Sequence, residues 1–218
     1  MSSKKNSDTT LIFSAHSDDW TLGAGGTVAK YVQEGKKVIV VIFSYGEKSH
    51  PWLKHKVVKD MRFQETIEAS KILQCKIIFF DLKEFNFYDD AQRKNVPQKI
   101  LQLIQRKKPS KIFTHSGEDP HPDHRAVNKI TLELYEKFSV KPEIFVYAIW
   151  NPVSFRTAYP TLYVDISKTF TDKLQALRTF RSQRFQAIYP LFFLVLFRAI
   201  KEGFSIKKRF AEKFFRVR

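Results

Sequence analysis

Cysteine, glycine, acidic residues and long apolar runs are all scarce in this chain, and each scarcity narrows what it can be. A single cysteine, Cys75, in 218 residues excludes an intramolecular disulfide. It precedes the apolar run Lys76-Ile77-Ile78-Phe79-Phe80 and reads as a buried structural thiol, which suits a reducing compartment. No apolar run reaches the ~20 residues that cross a bilayer; Pro190 to Phe197 is too short. The opening segment Met1 to Asp8 has no apolar signal core, so a cytoplasmic location is expected. Acidic residues number 22 against 38 Lys and Arg, a net charge of +16. The excess is uneven: residues 168–218 hold 13 basic against 3 acidic residues, and the first 167 hold 25 against 19. A basic field of this kind favours anionic membranes, nucleic acid or acidic ligands.

Short, apolar, β-branched runs recur at Thr10–Ala15, Lys37–Phe43, Lys76–Leu82, Lys111–His115 and Glu143–Ile149. They read as strands of a parallel sheet covered on both faces. Helical stretches separate them at Gly25–Glu34, His55–Leu73, Val96–Lys107 and Arg125–Phe138, with Gly35 and Pro109 as stop signals. The alternation predicts an α/β fold: a Rossmann-like, doubly wound, mostly parallel sheet with helices on both faces, plus a basic and aromatic helical tail. Thr161–Ile166 is a further expected strand and Lys168–Ile188 a further helix. Two regions are expected, a body over 1–189 and a basic, Phe-rich extension over 190–218.

In a sheet ordered 3-2-1-4-5, strands one and four are neighbours, and ligands bind in the crevice at their carboxyl ends. Strand one runs into His16-Ser17-Asp18-Asp19, and strand four leads into His121-Pro122-Asp123-His124. Only six His occur in the chain, and three of them lie in these two segments. Taken singly, each segment reads as an ordinary turn, with Asp123 a helix N-cap; their coincidence at the switch point argues for a metal centre. A catalytic zinc takes three His or carboxylate ligands and leaves one position open, and His16, Asp19 and His124 supply that set. Zinc is preferred on ligand type, with other divalent metals as alternatives. Asp18, beside a ligand, is the candidate general base. His121, as imidazolium, is placed to stabilise an oxyanion or protonate a leaving amine, and Asp123 to orient an imidazole. The tetrapeptide Gly23-Ala24-Gly25-Gly26 lacks the G-x-G-x-x-G spacing of a dinucleotide loop and reads as close helix–strand packing.

Ala15-His-Ser-Asp-Asp-Trp-Thr-Leu-Gly-Ala-Gly-Gly-Thr-Val-Ala-Lys30 resembles the first signature of the LmbE/PIG-L family of zinc-dependent N-deacetylases, where an Ala-His-Pro-Asp-Asp-Glu run precedes a Leu-Gly-x-Gly-Gly turn. His121 to Val127 resembles the second signature, and Lys173 to Gln183 a weaker third; the likeness covers roughly residues 9–188. It implies His16, Asp19 and His124 as ligands of one zinc, Asp18 as base, His121 as electrostatic stabiliser, and removal of acetyl from an N-acetylglucosamine-type substrate linked to inositol, a thiol conjugate or a lipid. Three positions depart from the pattern. Ser17 stands for Pro, Trp20 for Glu, which bears on the substrate pocket, and Phe180 for the His of the third motif. Arg62 and His50 lie after strand two, where family members contact the sugar. A solvated surface role stands beside that reading for both, and a core role beside a site role for His115.

Residues 190–218 contain 7 Phe and 8 Lys/Arg against 2 acidic residues. Ile206, Phe210, Phe214 and Val217 fall on one helical face, which predicts a basic amphipathic helix able to lie in a membrane interface. This would place the protein peripherally on the inner face of the cell membrane. Packing on the body or on a second copy in a homo-oligomer is the alternative, and nucleic acid is the weakest partner because the aromatics form a stripe. Two other functional readings stay open: a non-catalytic sugar- or nucleotide-binding protein of this fold, and a basic membrane or nucleic-acid adaptor.

Overall fold

The computed structural model describes residues 8–151 and 158–218. Residues 1–7, on which the expectation about export rests, lie outside them. Seven strands form one sheet: β1 Thr9–Ser14, β2 Lys37–Ile42, β3 Lys76–Phe79, β4 Lys111–His115, β5 Glu143–Tyr147, β6 Thr161–Asp165 and β7 Ala211–Arg216, in the order β3-β2-β1-β4-β5-β7-β6. β1 pairs in parallel with both β2 and β4, so the switch point falls where the sequence places it. The helices are α1 Asp19–Gln33, α2 His55–Leu73, α3 Phe87–Arg93, α4 Val96–Lys107, α5 Pro122–Tyr135, α6 Phe170–Thr179 and α7 Tyr189–Ser205.

Side chains alternate across the sheet and build two cores. Leu11, Phe13, Ile39, Val41, Ile112 and Ile144 pack with α3, α4 and α5 on one face. Ile12, Val40, Phe113, Phe145 and Phe214 pack with α1, α2, α6 and α7 on the other. β2 and β5 are therefore apolar at all but their first position, as strands buried on both faces require.

α1 begins at Asp19, six residues before the expected Gly25, so the glycine-rich segment lies inside a helix rather than in a loop. A Cβ on Gly23 would stand 2.3 Å from the Tyr147 ring, and one on Gly26 would stand 2.7 Å from Ile166. The glycines let α1 lie against the strand ends and the following loop, which is the packing role read from the sequence.

The tail differs from expectation. The helical face through Ile206, Phe210, Phe214 and Val217 does not form; residues 211–216 are a strand, antiparallel to both β5 and β6. A spacing of four satisfies a helix (i, i+4) and a strand (twice two) equally, and Phe214 stacks edge-on against Phe113 in the core at 4.7 Å. Residues 190–218 thus supply α7 and an interior strand of the same sheet. Glu212 of β7 accepts the Gly26 amide (3.1 Å) and the Thr27 amide (2.7 Å) inside α1, while Lys173 Nζ donates to Leu22 O at 2.8 Å and to Glu212 at 2.6 Å. Gly26 N–H and Leu22 C=O would bond each other in a regular helix; here a buried Lys–Glu pair takes both.

Candidate active site

The chain turns sharply after β1 because its own polar atoms hold it. Ser14 Oγ donates to His16 O (2.7 Å) and accepts from Trp20 N (3.1 Å), and Asp19 Oδ2 accepts from His16 N (2.8 Å). His115, at the end of β4, accepts the Ala15 amide on Nε2 at 2.9 Å and so stitches the two strand ends together. Burial, then the neighbouring His124, hold the His115 pKa well below the ordinary imidazole value, which keeps Nε2 an acceptor.

His16, Asp19 and His124 are all buried and offer donor atoms within 4.8 Å of one another. Asp19 Oδ2 lies 3.3 Å from His16 Nδ1 and 3.2 Å from His124 Nε2. His124 Nδ1 lies 3.0 Å from Asp119 Oδ1, an ion-pair distance, and neither ring nitrogen of His124 has an aligned hydrogen bond among the described residues. Burial opposes charge on His16, yet the Asp123 and Asp19 carboxylates outweigh it and lift its pKa to about 10. Burial likewise opposes charge on His124, and Asp19 and Asp119 lift it to about 9. Burial would raise Asp19, but His124 and His16 hold it well below the usual carboxylate range. Two imidazolium charges thus fill a buried acidic nest, the charge a divalent cation would bring. The donor set fits such an ion.

A second group, His16, His121 and Asp123, also brings ligand atoms together. Its members are already committed. Asp123 Oδ1 and Oδ2 accept the Phe85 amide at 2.9 and 3.1 Å, Oδ2 lies 3.2 Å from His16 Nε2, and His121 Nδ1 accepts the Asp123 amide at 3.1 Å. His121 is therefore the N-cap of α5. Burial and then His16 and His124 push its pKa down to about 4.

Asp18 stands at the mouth of α1 with Oδ1 2.6 Å from Arg62 Nη2. Arg62 is 2% exposed although it lies on α2. Gly46 makes room for it: with φ +79°, a Cβ there would stand 2.8 Å from the guanidinium carbon. These groups line a cavity of about 210 Å³ together with His16, Asp19, Glu84, His121, Trp150 and Gln183.

Residues 11–135 match the PIG-L family, described as GlcNAc-PI de-N-acetylase. The chain belongs to the PIG-L family. Among curated relatives it is 26% identical over 192 residues to a 4-oxalmesaconate hydratase of Pseudomonas putida, covering 79% of this chain and 73% of that one. It is 27% identical over 185 residues to a probable N-acetyl-alpha-D-glucosaminyl L-malate deacetylase of Bacillus cereus, covering 79% and 82%. The solved N,N'-diacetylchitobiose deacetylase of Pyrococcus horikoshii shares the fold, with TM-score 0.82 and 22% identity over 98% of this chain and 85% of that one.

In this PIG-L family chain the two signature segments meet as their sequence implies, and Asp18, His121 and Arg62 line one cavity with His16 and Asp19, while His124 is fully buried and does not line it. His50 sits nearby, buried, with Nδ1 3.0 Å from Ser49 Oγ. Trp20 is elsewhere. It is fully buried in the sheet-facing core, with Nε1 donating to Ser17 O at 2.8 Å, and it does not line the cavity. Phe180 is likewise a core residue. Sequence reasoning missed Asp119, whose Oδ2 accepts the Ile149 and Trp150 amides at 3.3 and 3.2 Å while Oδ1 faces His124. The signal was available, since Asp119 lies two residues before His121 in the same loop. It also missed Glu84, 3.7 Å from His16 Nε2, whose pKa burial raises. No local pattern marks Glu84; only the place of β3 in the same sheet, two strands from β1, brings its loop to the site.

Proposed function

We propose that this chain is a zinc-dependent hydrolase that removes the acetyl group from the nitrogen of an N-acetylglucosamine-type substrate, with one zinc per chain. The observation that carries this reading is the buried His16, Asp19 and His124 group, of which His16 and Asp19 line the same cavity as Asp18 and His121 while His124 is fully buried beside them. Membership of a deacetylase family and the similarity to deacetylases of GlcNAc-containing compounds support it. A cavity of about 210 Å³ is below the ~300–1,000 Å³ of sites for drug-sized ligands, and suits one sugar ring.

When bound, the metal supplies Lewis acidity toward water and toward the amide carbonyl. Asp18 accepts a proton from the attacking water as its oxygen bonds to the acetyl carbon. Arg62 fixes Asp18 through Oδ1, and among the described residues nothing hydrogen-bonds Oδ2, the oxygen left for that proton. His121 accepts the Asp123 amide on Nδ1, so its proton sits on Nε2, and it acts as a neutral donor to the developing oxyanion rather than as imidazolium. Asp18 then passes its proton to the nitrogen as the carbon–nitrogen bond breaks, releasing acetate and a free amine.

Similarity to the Pseudomonas putida hydratase supports a second reading, a hydratase reaction at the same site, which yields no acetate. The test is acetate release from GlcNAc, its oligomers and a GlcNAc-inositol lipid, measured beside zinc content. The expected result is one zinc per chain and release that a chelator stops and zinc restores. Absence of acetate from all three substrates with a loaded site would overturn the proposal.

A further inference from the structure

α7 carries apolar residues on its inner and its outer face, yet the protein covers only the inner one. Leu191, Val195, Ala199 and Gly203, spaced by four, face the body and are buried. Phe193, Phe197, Ile200 and Phe204 point outward and are 76%, 63%, 50% and 85% exposed. Tyr189, at the start of the helix, and Phe185 just before it continue the stripe, with ring centroids 5.4 Å apart. Among the described residues, seven of the fourteen exposed large apolar ones fall between 185 and 204, so this is one patch and not scattered surface. A helix of this composition needs cover on both faces. It is not a span: no helix among the described residues is long and apolar enough to cross a membrane.

What surrounds the stripe identifies the cover. Arg184, Lys201, Lys207, Lys208 and Arg209 are exposed beside it. Among the described residues no carboxylate lies within ion-pair distance of Arg184, Lys201, Lys207 or Arg209, and Lys208 has only Asp165 at 3.9 Å. A second copy related by a two-fold axis would bring like charges together around the aromatic stripe. An anionic lipid surface would accept the aromatics into its interface and neutralise the cations. We infer that the face formed by Phe185, Tyr189 and the outer side of α7 docks on the surface of an anionic bilayer. Gln186, Ala187 and Leu191, from the same segment, line the catalytic cavity, so docking sets the cavity beside the membrane surface. The inference stands on this surface and not on the reaction proposed above.

The test is co-sedimentation of the full chain with phosphatidylcholine vesicles, with and without phosphatidylserine. The expected result is binding to the phosphatidylserine vesicles, little to the neutral ones, and release as salt rises. A Phe193→Ser/Phe197→Ser/Phe204→Ser variant should lose binding by about tenfold or more while melting like the parent, since these side chains are exposed. A Lys201→Glu/Lys207→Glu/Arg209→Glu variant, which leaves the aromatics untouched, should lose it as well. Failure of the parent to bind, equal binding to neutral vesicles, or binding retained by both variants would overturn the inference. So would an oligomer that the serine variant dissolves while the parent ignores lipid, because a second copy would then be the cover.

Discussion

Arg62 Nη2 lies 2.6 Å from Asp18 Oδ1, a contact between residues 44 apart that holds the proposed base in place from a neighbouring helix. Both partners are buried. Removing one leaves the other as an uncompensated buried charge, which costs roughly 3–5 kcal/mol. Arg62→Ala is therefore expected to lower the melting temperature as well as activity. Arg62→Lys keeps the charge without the planar fork and should fold, but with kcat reduced roughly 100-fold by misplacement of Asp18. Gly46→Ala should act in the same direction, because its Cβ meets the guanidinium at a backbone φ of +79°. Steady-state kinetics beside thermal melts checks all three; a parental kcat in Arg62→Lys would show that Arg62 does not position the base.

Asp119 faces His124 from the side away from Asp19. An outer carboxylate of this kind orients a ligating imidazole, and its loss costs ~10–100-fold in metal affinity. Asp119→Asn should weaken zinc binding by that amount in a competition titration with a chromophoric chelator. An unchanged Kd would remove Asp119 from the account.

Protons and metal compete for the same imidazoles. With pKa values near 10 for His16 and near 9 for His124, both carry a proton at neutral pH in the metal-free protein, and zinc must displace both. Affinity should rise steeply with pH up to about 9, and uptake at neutral pH should release protons measurable in a weakly buffered titration. The same shifts stabilise the metal-free fold. Because both folded values lie above the ordinary 6.5, this stabilisation is complete below pH 6.5 and is lost as pH rises through about 9 to 10. Zinc affinity that stays flat between pH 6 and 8 would contradict the assignment of these two ligands.

The buried pair of Lys173 and Glu212 ties the last strand to the middle of α1. Glu212→Ala leaves Lys173 without its counter-charge and the Gly26 and Thr27 amides without their acceptor, and roughly 3–5 kcal/mol is expected to go. For a chain of this size that is a fall in Tm of roughly 10 °C. Calorimetry that finds less than about 2 °C would show that the tail is not held through Glu212.

The switch point and its two polar segments were legible because short apolar runs and their breaks fix strand order, and strand order brings residues 16–19 beside 121–124. Helix α2 was readable to its ends, with Gln74 closing it in a left-handed conformation. Other features needed contacts across the sheet. The start of α1 at Asp19 depends on Ser14 and Asp19 bonding the turn, which no periodicity reports. Strand β7 was hidden because Phe210 and Phe214 are spaced by four residues, an interval common to both secondary structures. Trp20 drew attention as a change beside the first motif, whereas its side chain turns into the core and leaves the cavity to Arg62, Glu84 and Trp150. His121 was expected to work as a cation, and burial, then His16 and His124, push its pKa down to about 4, which opposes that charge.

The central claim is that Asp18 moves the proton while His16, Asp19 and His124 hold the metal. Acetate release by Asp18→Asn, measured on protein whose zinc content is determined in the same sample, tests it most directly. The account predicts turnover lowered by at least ~100-fold with zinc near the parental level. Turnover at the parental rate in a zinc-loaded Asp18→Asn protein would contradict it.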